Sequence, residues 1–182
     1  MMMASGKDLI MKLFEKESSL RWLWITLVFL IIDQVTKQWV AGSFFLTESV
    51  EVTSFFSLTY IHNEGAAFSF LADQGGWQRW FFTAIATIAS VIFTVWLART
   101  PKEQPMLAIA LAFMLSGAVG NLIDRVLFGY VIDFLDFHWQ GNHWPAFNVA
   151  DSVIFIGAAL MIIDSFKQDA QAKSNVNGSK SS

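Results

Sequence analysis

SGAVGNLIDRVLFGYVIDF, residues 116 to 134, sets small residues, a long apolar run and two aspartates, Asp124 and Asp133, side by side. A third aspartate, Asp151, follows in FNVADS, residues 147 to 152. A charged Asp at the centre of a membrane helix costs roughly 2.5 to 3.5 kcal/mol on insertion scales, so carboxylates in such surroundings are functional candidates by default. The fold therefore turns on whether the chain spans a bilayer.

Composition says that it does. Of 182 residues, 54% are hydrophobic and only 15% are charged, and the mean hydropathy is +0.47, far from the balance of a soluble domain. Four windows, at about 20–40, 80–98, 106–123 and 149–166, each cover most of a ~30 Å hydrocarbon core at about 1.5 Å per residue. The first reads as a retained span, because its apolar run is too long for a signal peptide and WVAGSFF only weakly imitates a cleavage site. Two loops, about 41–79 and 124–148, then share one side of the membrane, and both termini share the other.

Charge orients this frame. Lys7, Lys12, Lys16 and Arg21 precede the first span, Arg99 and Lys102 separate the second from the third, and Lys167, Lys173 and Lys180 follow the fourth. Only Lys37, Arg79 and Arg125 fall on the opposite side, so the positive-inside rule predicts cytoplasmic termini and outward loops. All eight tryptophans lie near span ends, as interfacial anchors do. The chain has no cysteine, which excludes disulfides, a thiol nucleophile and a cysteine metal site. A net charge of −3 gives no reason to expect nucleic acid, and no phosphate-binding glycine loop is present.

The first outward loop is too long to be structureless. Its β-branched and aromatic run predicts strands at about Val50 to Ile61 and Ala66 to Leu71, broken at Asn63-Glu64-Gly65, as a small amphipathic sheet on the membrane surface. Tyr130 to Phe137 also reads as extended, with a turn at Gly141-Asn142. Residues 1–19 read as a cytoplasmic interfacial segment, with apolar residues at helical spacing from Leu9 to Phe14. Residues 167–182 are polar and read as a disordered tail.

Hydrolysis without metal or nucleophile requires two carboxylates that share a proton, one activating water and the other polarising the carbonyl. Asp133, flanked by Val131, Ile132, Phe134 and Leu135, stands in an apolar setting that favours its neutral form. Asp151 opens the fourth span three residues after Asn148, where the positive end of the helix dipole favours a carboxylate. Each has a plainer reading. Asn148 and Asp151 form nearly a capping box, and Asp133 stands equally well as an exposed loop carboxylate. Asp124, at the end of the third span, reads as a structural partner of Arg125, with Asn121 one turn earlier; a catalytic Asp124 is the sharper alternative. Asp33 and Lys37 stand four apart in the first span and either pair with each other or leave Lys37 free to reach outward or to hold a lipid phosphate. His62, His138 and His143 read as loop histidines, Asp136 as a solvated carboxylate, and Ser116 and Ser152 lack an evident base.

DQVTK (33–37), NEGAAF (63–68), SGAVGNLIDRVLFGYVIDF and FNVADS, in that order, resemble signal peptidase II, the lipoprotein signal peptidases of bacteria, across about residues 20 to 166. The resemblance implies one membrane peptidase domain, a four-transmembrane-helix bundle with a small periplasmic β-cradle between helices 1 and 2. It implies an inner-membrane aspartyl endopeptidase that cuts a prolipoprotein before its diacylglyceryl-modified cysteine. Its catalytic pair falls on Asp133 and Asp151. Its supporting positions fall on Asp33, Lys37, Asn63, Gly65, Asn121, Asp124, Arg125, Asn148 and Ala150. No cofactor or metal is implied; the expected partners are the lipid-modified substrate, membrane lipids and globomycin-type inhibitors, with a monomer as the working unit. Ser116 departs from the family, where Gly is more usual. Two rivals remain: a transporter, which places carboxylates near mid-span in repeated helices, and a scaffold, which needs no aspartate pair.

Overall fold

The computed structural model describes residues 19–65 and 77–179. A 3₁₀ turn, Ser19–Trp22, leads into α1, Leu23–Ser43. The strands β1, Ser49–Thr53, and β2, Phe56–Asn63, come next. The helices α2, Trp77–Arg99, and α3, Pro105–Leu127, follow. Last come β3, Val131–Trp139, β4, Asn142–His143, and α4, Val149–Ser179. All four helices contain a stretch long and apolar enough to cross a membrane.

The third helix is the centre of the bundle. Its apolar window is 56% buried, against 22% for the first span and 17% for each of the other two. Small residues make this possible: Ala108, Ala110, Ala112, Ser116, Gly117, Ala118 and Gly120 all lie on its buried faces, so neighbouring backbones approach closely. A Cβ at Gly120 would lie only 2.6 Å from Asp33 Oδ2 on α1 and 3.3 Å from Ala150 Cβ on α4. Thr26 on α1 adds a hydrogen bond, its hydroxyl donating to Ala112 O at 2.9 Å. The peripheral helices turn Leu27, Ile31, Val35, Ile88, Val91 and Phe155 outward, the lipid-facing sides of spans that in water would be large exposed apolar patches.

The sheet has the order β1-β2-β3-β4, antiparallel throughout. The expected strand at Val50 to Ile61 is broken into β1 and β2 by a turn at Ser54-Phe55, and the expected strand at Ala66 to Leu71 lies outside the described residues. The sheet also extends beyond the loop between the first two spans: β3 and β4 come from the loop between the third and fourth, so the two loops are sewn together across β2 and β3. Val40 on α1 packs with Ile132 and Phe134 on β3, with Ala41, Phe44 and Val149 around them, and this apolar contact seats the sheet on the bundle. The β3–β4 turn centres on Gln140 and Gly141, φ +50° and +79°, one residue earlier than expected and with the two positive φ values of a tight hairpin.

The tail is a correction. α4 runs as helix to Ser179, well past its membrane-compatible portion, Val149–Gln168. Polarity suggested disorder, but Ala, Gln and Lys favour helix, and a chain continuing an existing span has no nucleation cost. The expected interfacial segment at 1–19 lies outside the described residues except for Ser19, whose hydroxyl donates to Pro101 O at 3.3 Å.

Candidate active site

Two groups of carboxylates meet where the C-terminal ends of α1 and α3 and the N-terminal end of α4 reach the sheet. The first is built around Lys37. Its ammonium lies 2.9 Å from Asp33 Oδ2 and 3.0 Å from Asp124 Oδ2, and it donates to Asn121 Oδ1 at 3.0 Å. Three donors meet three acceptors, and Lys37, Asp33 and Asp124 are wholly buried. Gln34 Nε2 donates to both carboxylates, to Asp124 Oδ1 at 3.0 Å and Asp33 Oδ2 at 3.1 Å. The backbone completes the set: Ala150 N–H donates to Asp33 Oδ1 at 2.8 Å and Ile132 N–H to Asp124 Oδ2 at 3.2 Å. Asp33 thereby fixes the start of α4, and Asp124 fixes β3.

These contacts settle the choice for Lys37 in favour of pairing with Asp33, and they correct the expected Asp124–Arg125 pair. Adjacent residues on a helix do not face each other, so Asp124 turns to Lys37 while Arg125 points elsewhere. Arg125 Nη1 donates to Asn121 O at 3.2 Å, and the guanidinium lies 5.6 Å from the Phe82 ring centroid.

The second group holds Asp133 and Asp151 by amides. Asp133, on β3 and 2% exposed, accepts from Asn148 Nδ2 at 2.7 Å and from Asn63 Nδ2 at 2.8 Å. Asn63 is oriented in turn by the Gly65 N–H, which donates to its Oδ1 at 2.9 Å. Gly65 has φ +100°, a conformation suited to glycine. Asp151 Oδ1 accepts from Asn121 Nδ2 at 2.8 Å. The capping box is also present: Asp151 N–H donates to Asn148 Oδ1 at 3.0 Å, and Asn148 N–H to Asp151 Oδ2 at 3.3 Å. Asn148 thus caps α4 with its oxygen and holds Asp133 with its nitrogen. The cap leaves Asp151 Oδ1 free to accept from Asn121, which links the groups by accepting from Lys37 and donating to Asp151.

Asp133 is far from an ordinary aspartate. Burial, reinforced by the like charge of Asp151, pushes its carboxyl up to about 7, against the opposing pull of the Asn63 and Asn148 hydrogen bonds and of Lys37. An acid poised there holds or yields a proton at neutral pH. Beside Asp151 lies an open, mostly apolar groove of about 480 Å³, lined by Trp144, Phe147, Ser152, Phe155 and Ile156.

Every expected supporting residue that is described belongs to this cluster or touches it. Gln34 is a member that sequence reasoning missed; its place inside DQVTK was the available signal. Asp136 is a further correction: it is 8% exposed rather than solvated, and pairs with His143 Nδ1 at 2.9 Å. His62 and His138 lie on β2 and β3, not in loops. Ser152 donates to Asn148 O at 2.9 Å. Among the described residues, no set of three His, Asp or Glu side chains is arranged to share a metal ion.

A bundle of four span-length apolar helices that gathers its polar side chains at one end, beside an open apolar groove, has the layout of a membrane-embedded enzyme. The sequence profile of signal peptidase (SPase) II matches residues 25–167. The chain is 55% identical over 172 residues to the lipoprotein signal peptidase of Alteromonas mediterranea, covering 94% of this chain and 93% of that one. It is 55% identical over 157 residues to the protein of the same name from Shewanella amazonensis, covering 86% and 94%. A solved structure described as a bacterial membrane enzyme, determined by the in meso method at 2.3 Å, superposes with a TM-score of 0.72 at 33% identity, covering 83% of this chain and 90% of that one. The chain belongs to the signal peptidase II family, and it is a membrane protease.

Proposed function

We propose that Asp133 and Asp151 are the catalytic carboxylates of an aspartic endopeptidase that removes the signal peptide from diacylglyceryl-modified prolipoproteins, cutting before the lipidated cysteine. The observation that carries this reading is the shared setting of the two acids: amides hold both, Asn148 touches both, and Asp133 is pushed up to about 7 by burial and by Asp151. Asp151, at the helix N-terminus, is the ionised base; the dipole favours its charge. Asp133 is the acid. Water attacks the scissile carbonyl carbon as its proton passes to Asp151, while the Asp133 proton moves to the carbonyl oxygen, leaving a neutral gem-diol. Collapse of the diol breaks the C–N bond as the proton on Asp151 goes to the departing amine and one diol hydroxyl returns its proton to Asp133, which restores both carboxyls to their starting states.

The groove next to Asp151 suits the acyl chains of the substrate's cysteine, because it is open and mostly apolar and the exposed Trp144, Phe155 and Ile156 line it. The distribution of Lys and Arg supports cytoplasmic termini in the bacterial inner membrane and a site near the periplasmic face. The supporting residues act through the pair: Asn121 and Asn148 orient it, Asn63 holds Asp133, and Lys37, Asp33 and Asp124 fix the strand β3 and the helix α4 that carry it.

The test is cleavage of a lipid-modified precursor by Asp133→Asn and Asp151→Asn proteins. Each is expected to lose at least about a thousandfold in rate, at the upper end of general acid–base contributions, while still inserting into membranes. Normal processing by either variant overturns the assignment.

A further inference from the structure

The β3–β4 hairpin carries a polar cluster outside the site. Asp136 and Ser57 are cross-strand partners on β3 and β2, and His138 pairs with His143 across the turn. His143 Nδ1 donates to both oxygens of Asp136, at 2.9 and 3.0 Å, and the Ser57 hydroxyl lies 3.0 Å from His138 Nε2. The two imidazoles lie close, with centroids 4.9 Å apart. A carboxylate as buried as Asp136 is costly without a partner, and His143 answers it from the far side of the turn.

The cluster is joined to the groove by the chain itself. Side chains alternate across a strand, so with His143 turned to Asp136 the next residue, Trp144, is sent to the opposite face, where it lines the groove beside Asp151. The Trp144 N–H donates to Phe137 O at 2.8 Å, and Phe147 exchanges hydrogen bonds with Leu135 at 2.8 and 3.1 Å. Residues 142 to 147 are therefore a strap tied to β3, with groove-lining aromatics at Trp144 and Phe147. We propose that the His143–Asp136 pair is a clasp that positions this strap, making both of them positioning residues for the lipid-bearing end of the substrate. The inference rests on the reading of the groove given above.

The experiment measures KM and kcat of the full-length protein on a lipid-modified precursor in detergent. His143→Ala and Asp136→Ala are each expected to raise KM roughly fivefold, the scale of one lost hydrogen bond, with the double variant no worse than either. Because the clasp acts on binding and not on the carboxylates, kcat should stay within about twofold. His143→Asn, whose Nδ2 occupies the place of Nδ1, should restore KM, which a purely steric role would not. Trp144→Ala should itself raise KM, and adding His143→Ala to it should change nothing further. An unchanged KM in His143→Ala, or a loss that falls on kcat, overturns the clasp. An unchanged KM in Trp144→Ala overturns the groove reading and the clasp with it, so the two failures are distinct. His143 has a side chain 56% exposed; if Asp136→Ala fails to fold, the His143 variants decide.

Discussion

Asp33 and Asp124 on one side, and Asp133 and Asp151 on the other, are the same functional group in one connected cluster, yet their partners differ in kind. The first two share an ammonium: Lys37 lies within 3.0 Å of both, and every acceptor is answered by Lys37, Gln34 or a backbone N–H. The second two are held by the neutral amides of Asn63, Asn121 and Asn148. A cation beside a carboxylate fixes its charge, whereas an amide fixes only its position. The first pair is therefore a joint between helices and sheet, and the second retains the freedom to share a proton. Position at the end of the bundle does not distinguish them; the charge of the neighbour does.

The sharpest way to break this contrast is to neutralise one member of the second pair and, separately, the cation that the first pair shares. Asp133→Asn should abolish cleavage while leaving thermal unfolding in detergent nearly unchanged, because it removes a costly carboxylate and keeps the shape. Lys37→Met should do the reverse first: it strands Asp33 and Asp124 without their cation, a loss of about 3 to 5 kcal/mol, read as a large fall in the unfolding temperature. If Lys37→Met is as stable as the parent protein, the first pair is not the joint described here.

A second, smaller effect separates the causes acting on Asp133. Its carboxyl is pushed up to about 7 by burial and by Asp151, so the dyad's single proton is lost as pH rises through about 7, and kcat/KM should fall there. The same shift makes its contribution to stability fully present below the ordinary value of 3.8 and lost as pH rises through about 7. Asp151→Asn removes a like charge and should move the titration down; Asn148→Ala removes a donor to the ionised form and should move it up. The infrared band of the protonated carboxyl follows both. Shifts of the same sign would mean that charge and hydrogen bonding do not act on Asp133 as described.

The split between the pairs was only half legible in the sequence. The spans, the extended segment at Tyr130 to Phe137 and the Asn148–Asp151 cap followed from periodicity and from spacing within one helix, which are local properties. Asp33 and Lys37 were legible for the same reason. The junction of Lys37 with Asp124 was not, since it depends on how closely α1 approaches α3 at Gly120. Nor was the contact of Asn63 with Asp133, which requires the register of β2 on β3 across a bulge between Leu58 and Ile61. Asp136 looked solvated because polarity was read one residue at a time; its burial comes from a hairpin partner seven residues on.

The mildest test concerns Gln34, an uncharged residue of the first group that makes no contact with the second pair. Its Nε2 bridges Asp33 and Asp124 and also lies 3.3 Å from Gly120 O, so it trims a joint that Lys37 already neutralises. Gln34→Leu keeps the apolar stem and removes one donor group, and should lower stability by about 1.5 to 3 kcal/mol, the scale of hydrogen bonds to charged groups. Cleavage should remain near that of the parent, because Asn121 still joins Lys37 to Asp151. A loss of activity with full stability would place Gln34 on the side of the second pair, and the boundary between joint and chemistry would then have to move inward to α1.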